Sequence, residues 1–229
     1  MKNSLFLFVL SFGFSALAQP DEVKEKFAYY QISADLTIQN LKDADAEYYF
    51  DLKSTTLNGT STKVEVSHFD PALAVGNRWV LESVDGNLPA PADLKIFDSA
   101  YNTKKDDING AVIESSFKIV RDDDTYLLVS FDYNKSSLPK KYAFLSDCNG
   151  LAYFNKKSKT LEKLHFLSSA PLIIKSREVF LLDMTVYCDW NDTAQAYFIS
   201  SETMRMSVDL NGQVVVVEET NEYSNYSKL

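Results

Sequence analysis

Apolar and polar residues alternate along much of the second half of the chain, which is the pattern of β-strands. The clearest case is the segment REVFLLDMTVYCDW, residues 177–190, in which every second side chain is apolar. These side chains are Phe180, Leu182, Met184, Val186, Cys188 and Trp190. Alternation over this length predicts one long strand whose inward face lies over an apolar interior.

The same period predicts strands on both sides of this segment. EYYFDLKSTT and TKVEVSHF form a hairpin through the Asn58-Gly59 turn, which is one of the stronger hairpin patterns. Further strands are predicted at 79–84, 116–120, 126–131, 141–145, 150–155 and 161–168, and in a final meander through the Asn211-Gly212 turn. We therefore expect a mainly β chain of the α+β class, with an antiparallel sheet of too many strands to stay flat.

An N-terminal helix is predicted within residues 21–41. Val23, Phe27, Tyr30 and Ala34 recur there at helical spacing.

A second, short helix is predicted from Pro91, which is typical of a first helical turn, with Asp93 at the positive end of its dipole. Leu94, Phe97 and Tyr101 share one face of this helix. We expect the helix to lie across the sheet rather than to extend it. The polar segment 104–110 that follows is predicted to be a loop.

Residues 1–18 are predicted to be a signal peptide. Lys2 precedes an apolar run of about ten residues, and Ala16-Leu17-Ala18 stands just before Gln19. The run is shorter than the roughly twenty residues of a spanning helix, and no later segment is long and apolar enough to cross a membrane. We expect cleavage near Ala18, a single mature domain over 19–229, and a periplasmic or extracellular location. Gln19 stands where a lipoprotein would need a cysteine, so no lipid anchor is expected there.

The composition narrows the choice of partners. The net charge is −9 and no block of Lys and Arg occurs, which argues against nucleic acid and anionic membrane surfaces as partners. Glycine is scarce at 7 residues, whereas tyrosine and phenylalanine number 13 and 15. These values are typical of an ordered, aromatic-rich globular domain, and we expect a monomer.

Cys148 and Cys188 are the two cysteines of the chain. In an oxidising compartment an even pair is typical of a disulfide, and we predict that the two are bonded. The alternative is two separate buried thiols. A zinc site is disfavoured because the sequence has no Cys-x-x-Cys motif.

Catalytic motifs are absent from the sequence: it has no Gly-x-Ser-x-Gly elbow, no His-Glu-x-x-His and no Gly-rich phosphate loop. His68 and His165, the two possible imidazole bases, each lie in a predicted strand among apolar neighbours, which is typical of a structural histidine. The acids 122–124 lack the alternate spacing of a calcium loop and are typical of a solvated hairpin turn. We expect no enzyme, no metal and no cofactor.

Three segments carry a resemblance to a known family: FDPALAVGNRWVLESVDGNLPAPADL, YFNKKSKTLEKLHFLSSAPLIIKSREVFLLDMTVYCDW and the terminal EYSNY. From about residue 27 to its end the chain resembles the LolA-like superfamily of outer-membrane lipoprotein-sorting proteins, and within it a secreted branch. The resemblance implies an incomplete, strongly curved antiparallel β-barrel with helices capping its mouth and an apolar cavity for acyl chains. It implies that Trp79 lies in a wall strand and that Leu94, Phe97 and Tyr101 belong to a lid. The functional arginine and the membrane-inserting loop of the carriers match no position here.

Two interpretations of the aromatic-rich interior stay open. Aromatic side chains favour strands and fill cores, so the interior of the sheet is either packed or a cavity with adaptable walls suited to lipid tails. The candidate wall residues are Trp79, Phe180, Leu182, Met184, Val186, Phe198, Met204 and Met206. The corresponding functions are an extracytoplasmic, non-enzymatic protein that binds a lipid, acyl chain or lipidated partner, with a role in lipoprotein or lipid trafficking, and a secreted structural or interaction module without a ligand.

Overall fold

One antiparallel sheet of eleven strands forms the body of the protein. The computed structural model describes residues 20–32, 47–102, 111–138, 140–174, 177–210 and 212–228. The strands are β1 (Tyr48–Asn58), β2 (Ser61–Phe69), β3 (Trp79–Val84), β4 (Lys118–Asp122), β5 (Tyr126–Phe131), β6 (Cys148–Asn155), β7 (Thr160–Ser168), β8 (Leu172–Ile174), β9 (Arg177–Asn191), β10 (Ala196–Leu210) and β11 (Gln213–Lys228).

The strand order is β3-β2-β1-β11-β10-β9-β7-β6-β5-β4, and β8 pairs with β9 off this path. Within the described residues β3 and β4 do not pair with each other, so the sheet is not closed. The predicted mainly β fold, an incomplete antiparallel barrel with two helices, is confirmed. Neither described α-helix, at eleven residues each, is long and apolar enough to cross a membrane.

Most predicted strands are present at nearly the predicted bounds. The β1-β2 hairpin pairs Asn58 with Ser61, and Gly59 between them has φ 59°, the left-handed conformation that glycine adopts without strain. The predicted signal peptide, segments 33–41 and 104–110, and Asn211 lie outside the described residues.

The predicted strand 141–145 is wrong, because Lys140–Asp147 forms a 3₁₀-helix instead. Tyr142 and Leu145 stand three residues apart, which is the period of a 3₁₀-helix. A run this short also fits a strand, so its period does not distinguish the two structures. Strand β8 was not predicted.

Helix α1 (Pro20–Tyr30) is shorter than the predicted segment because a capping motif ends it. Gln31 has φ 58°, and its N–H donates to Ala28 O at 3.2 Å while Ile32 N–H donates to Phe27 O at 2.8 Å. This is the Schellman arrangement, in which Phe27 and Ile32 supply the usual apolar contact. A glycine would have indicated the end of the helix, but glutamine occupies the left-handed position.

Ion pairs attach α1 to the β4-β5 and β6-β7 turns. Lys26 Nζ lies 2.7 Å from Asp122 Oδ2, and Tyr30 Oη donates to Asp122 Oδ1 at 2.9 Å. Lys156 Nζ pairs with the same carboxylate from the β6-β7 turn. Asp122 therefore belongs to a hydrogen-bonded cluster although it is exposed, and the equally exposed Asp124 fits the predicted solvated turn.

Helix α2 (Pro91–Tyr101) begins at the predicted proline and lies beside β3. Asp93 accepts a hydrogen bond from Ala90 N–H at 3.2 Å, as expected for an acid in the first turn. After the helix, the amide of Asn102 accepts from Trp79 N–H at 3.0 Å and donates to Trp79 O at 2.9 Å. These two bonds attach the end of α2 to the start of the edge strand.

The predicted disulfide is wrong, because strand register separates the two cysteines. Cys148 pairs with Ser168 of β7, and Tyr187, next to Cys188, pairs with Lys163 of the same strand. The five positions from Lys163 to Ser168 span about 17 Å, whereas a disulfide needs Cα atoms within about 7 Å. Both thiols are buried, and they are not bonded to each other.

Alkylation tests whether the two cysteines are free thiols. Under denaturing, non-reducing conditions we expect both Cys148 and Cys188 to be labelled, and mass spectrometry counts the adducts. In the folded protein labelling should be slow, since burial, and then the charge of Asp147, raises the pKa of the Cys148 thiol to about 11. An unfolded protein that takes up no label would contradict the register.

The cluster of Asp122 with Lys26, Tyr30 and Lys156 makes the stability of the fold depend on pH. Burial acts to raise the pKa of Asp122, but hydrogen bonds from Lys156, Lys26 and Tyr30 outweigh it and lower the pKa to about 2. A carboxyl with a depressed pKa stabilises the fold above its unfolded pKa of about 3.9, and that stabilisation is lost as the pH falls through 2. Asp122→Asn should therefore lower the free energy of unfolding at pH 7 by about 1 to 2 kcal/mol, and by less below pH 3. Asp124→Asn is the control, and equal urea midpoints for the two variants at pH 7 would refute the cluster.

Candidate functional site

The inner face of the sheet is the face that carries Leu182 and Val186 and on which α1 packs. Register carries this face across the strands, because directly paired residues of an antiparallel sheet point to the same side. Val186 pairs with Glu202, which pairs with Asn221, which pairs with Ser54. The inner face therefore continues without a break from β9 to β1 and beyond, although its chemistry changes on the way.

The half of the inner face under α1 is a packed core. Leu127, Leu161 and Leu182 are fully buried there, and Phe27 of α1 meets Phe154 edge to face at 4.8 Å between ring centroids. The cluster also holds both cysteine side chains. Of the two open interpretations, a packed interior holds for this half.

Beside the packed half stands a wall of three methionines. Met184 of β9 pairs with Met204 of β10, and Leu182 pairs with Met206. All three methionines contact the core cluster yet are only half-buried, as is Val217, which pairs with Met206 from β11. We call Met184, Met204 and Met206 the methionine wall.

The opposite end of the inner face is an aromatic cluster under α2. Trp79 of the edge strand lies 5.4 Å from both Phe50 and Phe69 and 4.9 Å from Tyr101 of α2, measured between ring centroids. Phe97 stacks on Tyr101 at 4.5 Å and is only 4% exposed. Because aromatic pairs at these distances stabilise beyond the area they bury, α2 is held firmly on the edge strand.

A polar row crosses the inner face between these two apolar regions. It consists of Glu202 of β10, Asn221 of β11, Ser54 of β1 and Glu65 of β2, each paired with the next. Glu219, two residues from Asn221, pairs with Met204 and so brings a second carboxylate beside the methionine wall. Carboxylates rarely occupy the inner face of a curved sheet, so this row is the chemically unusual part of the interior.

Hydrogen bonds join the polar row into a small network. Tyr223 Oη donates to Glu202 Oε2 at 3.2 Å, and Asn221 Nδ2 donates to Glu219 Oε1 at 3.2 Å. Burial raises the pKa of Glu202, and the charge of Glu219 adds to this, while hydrogen bonds from Tyr223 and Asn221 oppose it. Burial, and then the charges of Glu219, Glu65 and Glu202, raises the pKa of Tyr101 of α2 to about 12.

The predicted wall residues divide among these regions. Leu182 and Val186 are buried in the packed core, and the methionine wall lies where it was predicted, on the inner face. Trp79 lies in the aromatic cluster, and Phe198 stacks on Tyr226 at 4.5 Å, near the same end of the sheet.

Phe180 was predicted to share the inner face, and this is wrong. A bulge shifts the β9-β10 register between the pairs Leu181-Ser207 and Val179-Val208, so Val179 points inward and Phe180 is 38% exposed. Alternation alone does not reveal a bulge. Among the lid residues, Phe97 and Tyr101 pack on the edge strand, whereas Leu94 is 41% exposed and takes little part in covering the sheet.

The two histidines are each held by a carboxylate within a strand pair. His68 Nδ1 lies 2.8 Å from Glu82 Oε1, and His165 Nε2 lies 2.9 Å from Asp183 Oδ1. Both are in sheet-surface pairs rather than in the polar row, which fits the structural role expected for them.

Sequence reasoning missed Glu202, Glu219 and Asn221, although the pattern that locates them was available. Glu202 is in phase with Met204 and Met206, and Glu219 and Asn221 alternate in phase with Tyr223. Acids in phase with an apolar face are unusual, and that conflict could have indicated the row.

No protein-family model and no curated protein matches the chain. Among solved structures, a LolA superfamily protein from Nitrosomonas europaea aligns over 84% of this chain and 94% of its own, with 11% identity and a TM-score of 0.34. The complex of MucA and MucB from Pseudomonas aeruginosa aligns over 81% and 92%, with 9% identity and a TM-score of 0.20. The superfamily of the first structure is the one that the sequence resembles, but similarity at this level assigns no function.

The raised pKa of Glu202 allows the hydrogen-bond network of the polar row to be tested through the pH dependence of stability. A carboxyl with a raised pKa lowers the stability of the fold as the pH rises through that pKa, because folding opposes its ionisation. The groups that interact with it are Glu219, Asn221 and Tyr223 of β11, and Tyr101 and Tyr142 from the covering segments. Glu202→Gln keeps an acceptor for Tyr223 and should raise the melting temperature at pH 7.5 by a few degrees.

At pH 4 the melting temperatures of Glu202→Gln and the parent should converge. Glu222→Gln, on the outer face of β11 where Glu222 pairs with Lys53, is the matched control and should change little at either pH. A lower melting temperature for Glu202→Gln at pH 7.5 would contradict the placement of that carboxyl.

Proposed function

We propose that this chain is an extracytoplasmic, non-enzymatic protein that binds an amphiphile, namely a lipid, an acyl chain or a lipidated partner. The binding region is the inner face between the packed core and the aromatic cluster. The predicted signal peptide supports the location. The chemistry of the inner face supports the kind of ligand.

The observation that carries the proposal is the methionine wall. Three methionines stand side by side on the inner face, in contact with the core, and keep part of their surface accessible. In a fully packed core such side chains would be covered, since interiors are filled to crystal density. Methionine is unbranched and polarizable, so a wall of it adapts to flexible chains of differing shape.

The neighbouring groups fit an amphiphile better than a purely apolar ligand. A chain that lies on the methionine wall has Glu219 and Glu202 beside it through the Met204-Glu219 and Glu202-Asn221 pairs. Binding sites commonly combine apolar walls with a few converging polar groups that fix the orientation of the ligand.

A second candidate function is that of a protein-interaction module, and exposed apolar residues on the outer face of the sheet favour it. Leu167, Ile173 and Leu181 expose apolar surface there on β7, β8 and β9. In that case the inner face serves only to hold the sheet together, and a partner protein binds outside.

A matched pair of variants tests the first candidate. Met204 and Arg205 are adjacent in β10 and point to opposite faces, so Met204→Gln puts an amide on the inner face and Arg205→Gln puts the same group outside. Titrated with N-phenyl-1-naphthylamine, an uncharged fluorescent probe, Met204→Gln should bind about tenfold more weakly than the parent. Arg205→Gln should bind as the parent does.

Circular dichroism and thermal melts confirm that both variants fold. If the parent does not bind the probe, or if both variants bind as it does, the inner face is not an amphiphile site and the interaction module is the better account.

A further inference from the structure

The polar row has more hydrogen-bond acceptors than donors. Glu202 and Glu219 contribute two carboxylates, and Asn221 contributes its carbonyl oxygen. The donors in hydrogen bonds to these groups are Tyr223 Oη and Asn221 Nδ2. A hydrogen bond from Asn221 also acts to lower the pKa of Glu202, so the side chain of Asn221 lies near both carboxylates.

The carbonyl oxygen of Asn221 is buried and lacks a donor. The residue is 9% exposed, and Oδ1 accepts no hydrogen bond from the described residues. A buried acceptor without a partner destabilises the fold, and native structures keep few of them. Reversing the amide does not solve the problem, because the nitrogen already donates to a carboxylate.

The two carboxylates also lack a cation. Lys63 lies on the inner face, but it is engaged by Glu65 at 2.8 Å and by Asp93 at 3.8 Å. No basic side chain in the described part of the chain forms an ion pair with Glu202 or Glu219. Two acids and an orphaned carbonyl oxygen thus converge at a place where a positively charged donor would satisfy all three.

We propose that Glu202, Glu219 and Asn221 bind the primary ammonium head of an amphiphile whose chain lies along the methionine wall. An ammonium group carries three N–H donors and no acceptor. It would supply a donor to the carbonyl oxygen of Asn221, which has none, and further donors to Glu202 and Glu219, each of which keeps lone pairs beyond the hydrogen bond it accepts. Hydrogen bonds from an ammonium group to a carboxylate are charge-assisted and about twice as strong as hydrogen bonds between neutral groups. A free carboxylate head would face two like charges and is excluded, so the site selects alkylammonium over fatty acid.

This inference rests on the proposed function, since it needs the chain to bind on the inner face. Burial, and to a lesser extent the charge of Glu219, raises the pKa of Glu202, and a bound ammonium would oppose that shift by stabilising the ionised carboxylate.

Displacement of N-phenyl-1-naphthylamine by single-chain ligands below their micelle concentrations tests the proposal. At pH 7.5 dodecylammonium should bind the parent protein at least about tenfold more tightly than dodecanoate. Glu202→Gln and Glu219→Gln should each reduce that preference, taken as the ratio of the two affinities in the same variant, about tenfold. Glu222→Gln, on the outer face, should keep the preference of the parent.

The outcomes separate this inference from the proposed function. If the probe binds but dodecylammonium and dodecanoate compete equally, the amphiphile site stands and the ammonium site is wrong. A preference for dodecylammonium that survives both Glu202→Gln and Glu219→Gln places the head group elsewhere and also overturns it. Failure of the probe itself to bind refutes the proposed function.

Discussion

Burial of one face of a single open sheet is the constraint on which the rest of the structure depends. With eleven strands joined edge to edge, the apolar residues on the inner face must be covered by helices, by the curling of the sheet, or by something else. Helix α1 covers one half through Phe27 on Phe154, and α2 covers the opposite edge through Tyr101 on Trp79. The strands between these two helices therefore carry the inner-face residues that the packed core leaves half-buried.

Those central strands carry a mixture that a purely structural interior would not select. A packed core avoids carboxylates, because each loses its hydration and needs partners inside. Here Glu202 and Glu219 remain beside Met204, and Asn221 keeps an acceptor without a donor. Residues that lower the stability of a fold are commonly found at functional sites. We therefore expect the function of this protein to involve these residues.

Much of the fold could be predicted from the sequence because alternation and turn chemistry are local. The Asn58-Gly59 hairpin and the helix from Pro91 follow from residue types at fixed offsets, and both are present. Features that depend on pairing with a strand elsewhere in the sequence could not be predicted. The bulge that turns Phe180 outward depends on pairing with β10, and the separation of Cys148 from Cys188 depends on pairing with β7. The end of α1 was missed because Gln31 adopts the left-handed conformation usually left to glycine.

The apolar part of the candidate site could be predicted from composition and phase, which single out Met184, Met204 and Met206. The same phase puts Glu202 on their face, but it does not show which strands neighbour β10. The register of β10 and β11 is what brings Glu202, Glu219 and Asn221 together on the inner face.

Native mass spectrometry of the protein purified from its host tests the central claim most directly. We predict a folded species that carries one amphiphile, lost on collisional activation, and identified after extraction as a molecule with an apolar chain and a donating head group. A clean mass of the polypeptide alone, from protein that also fails to take up added dodecylammonium, would show that the inner face holds no ligand.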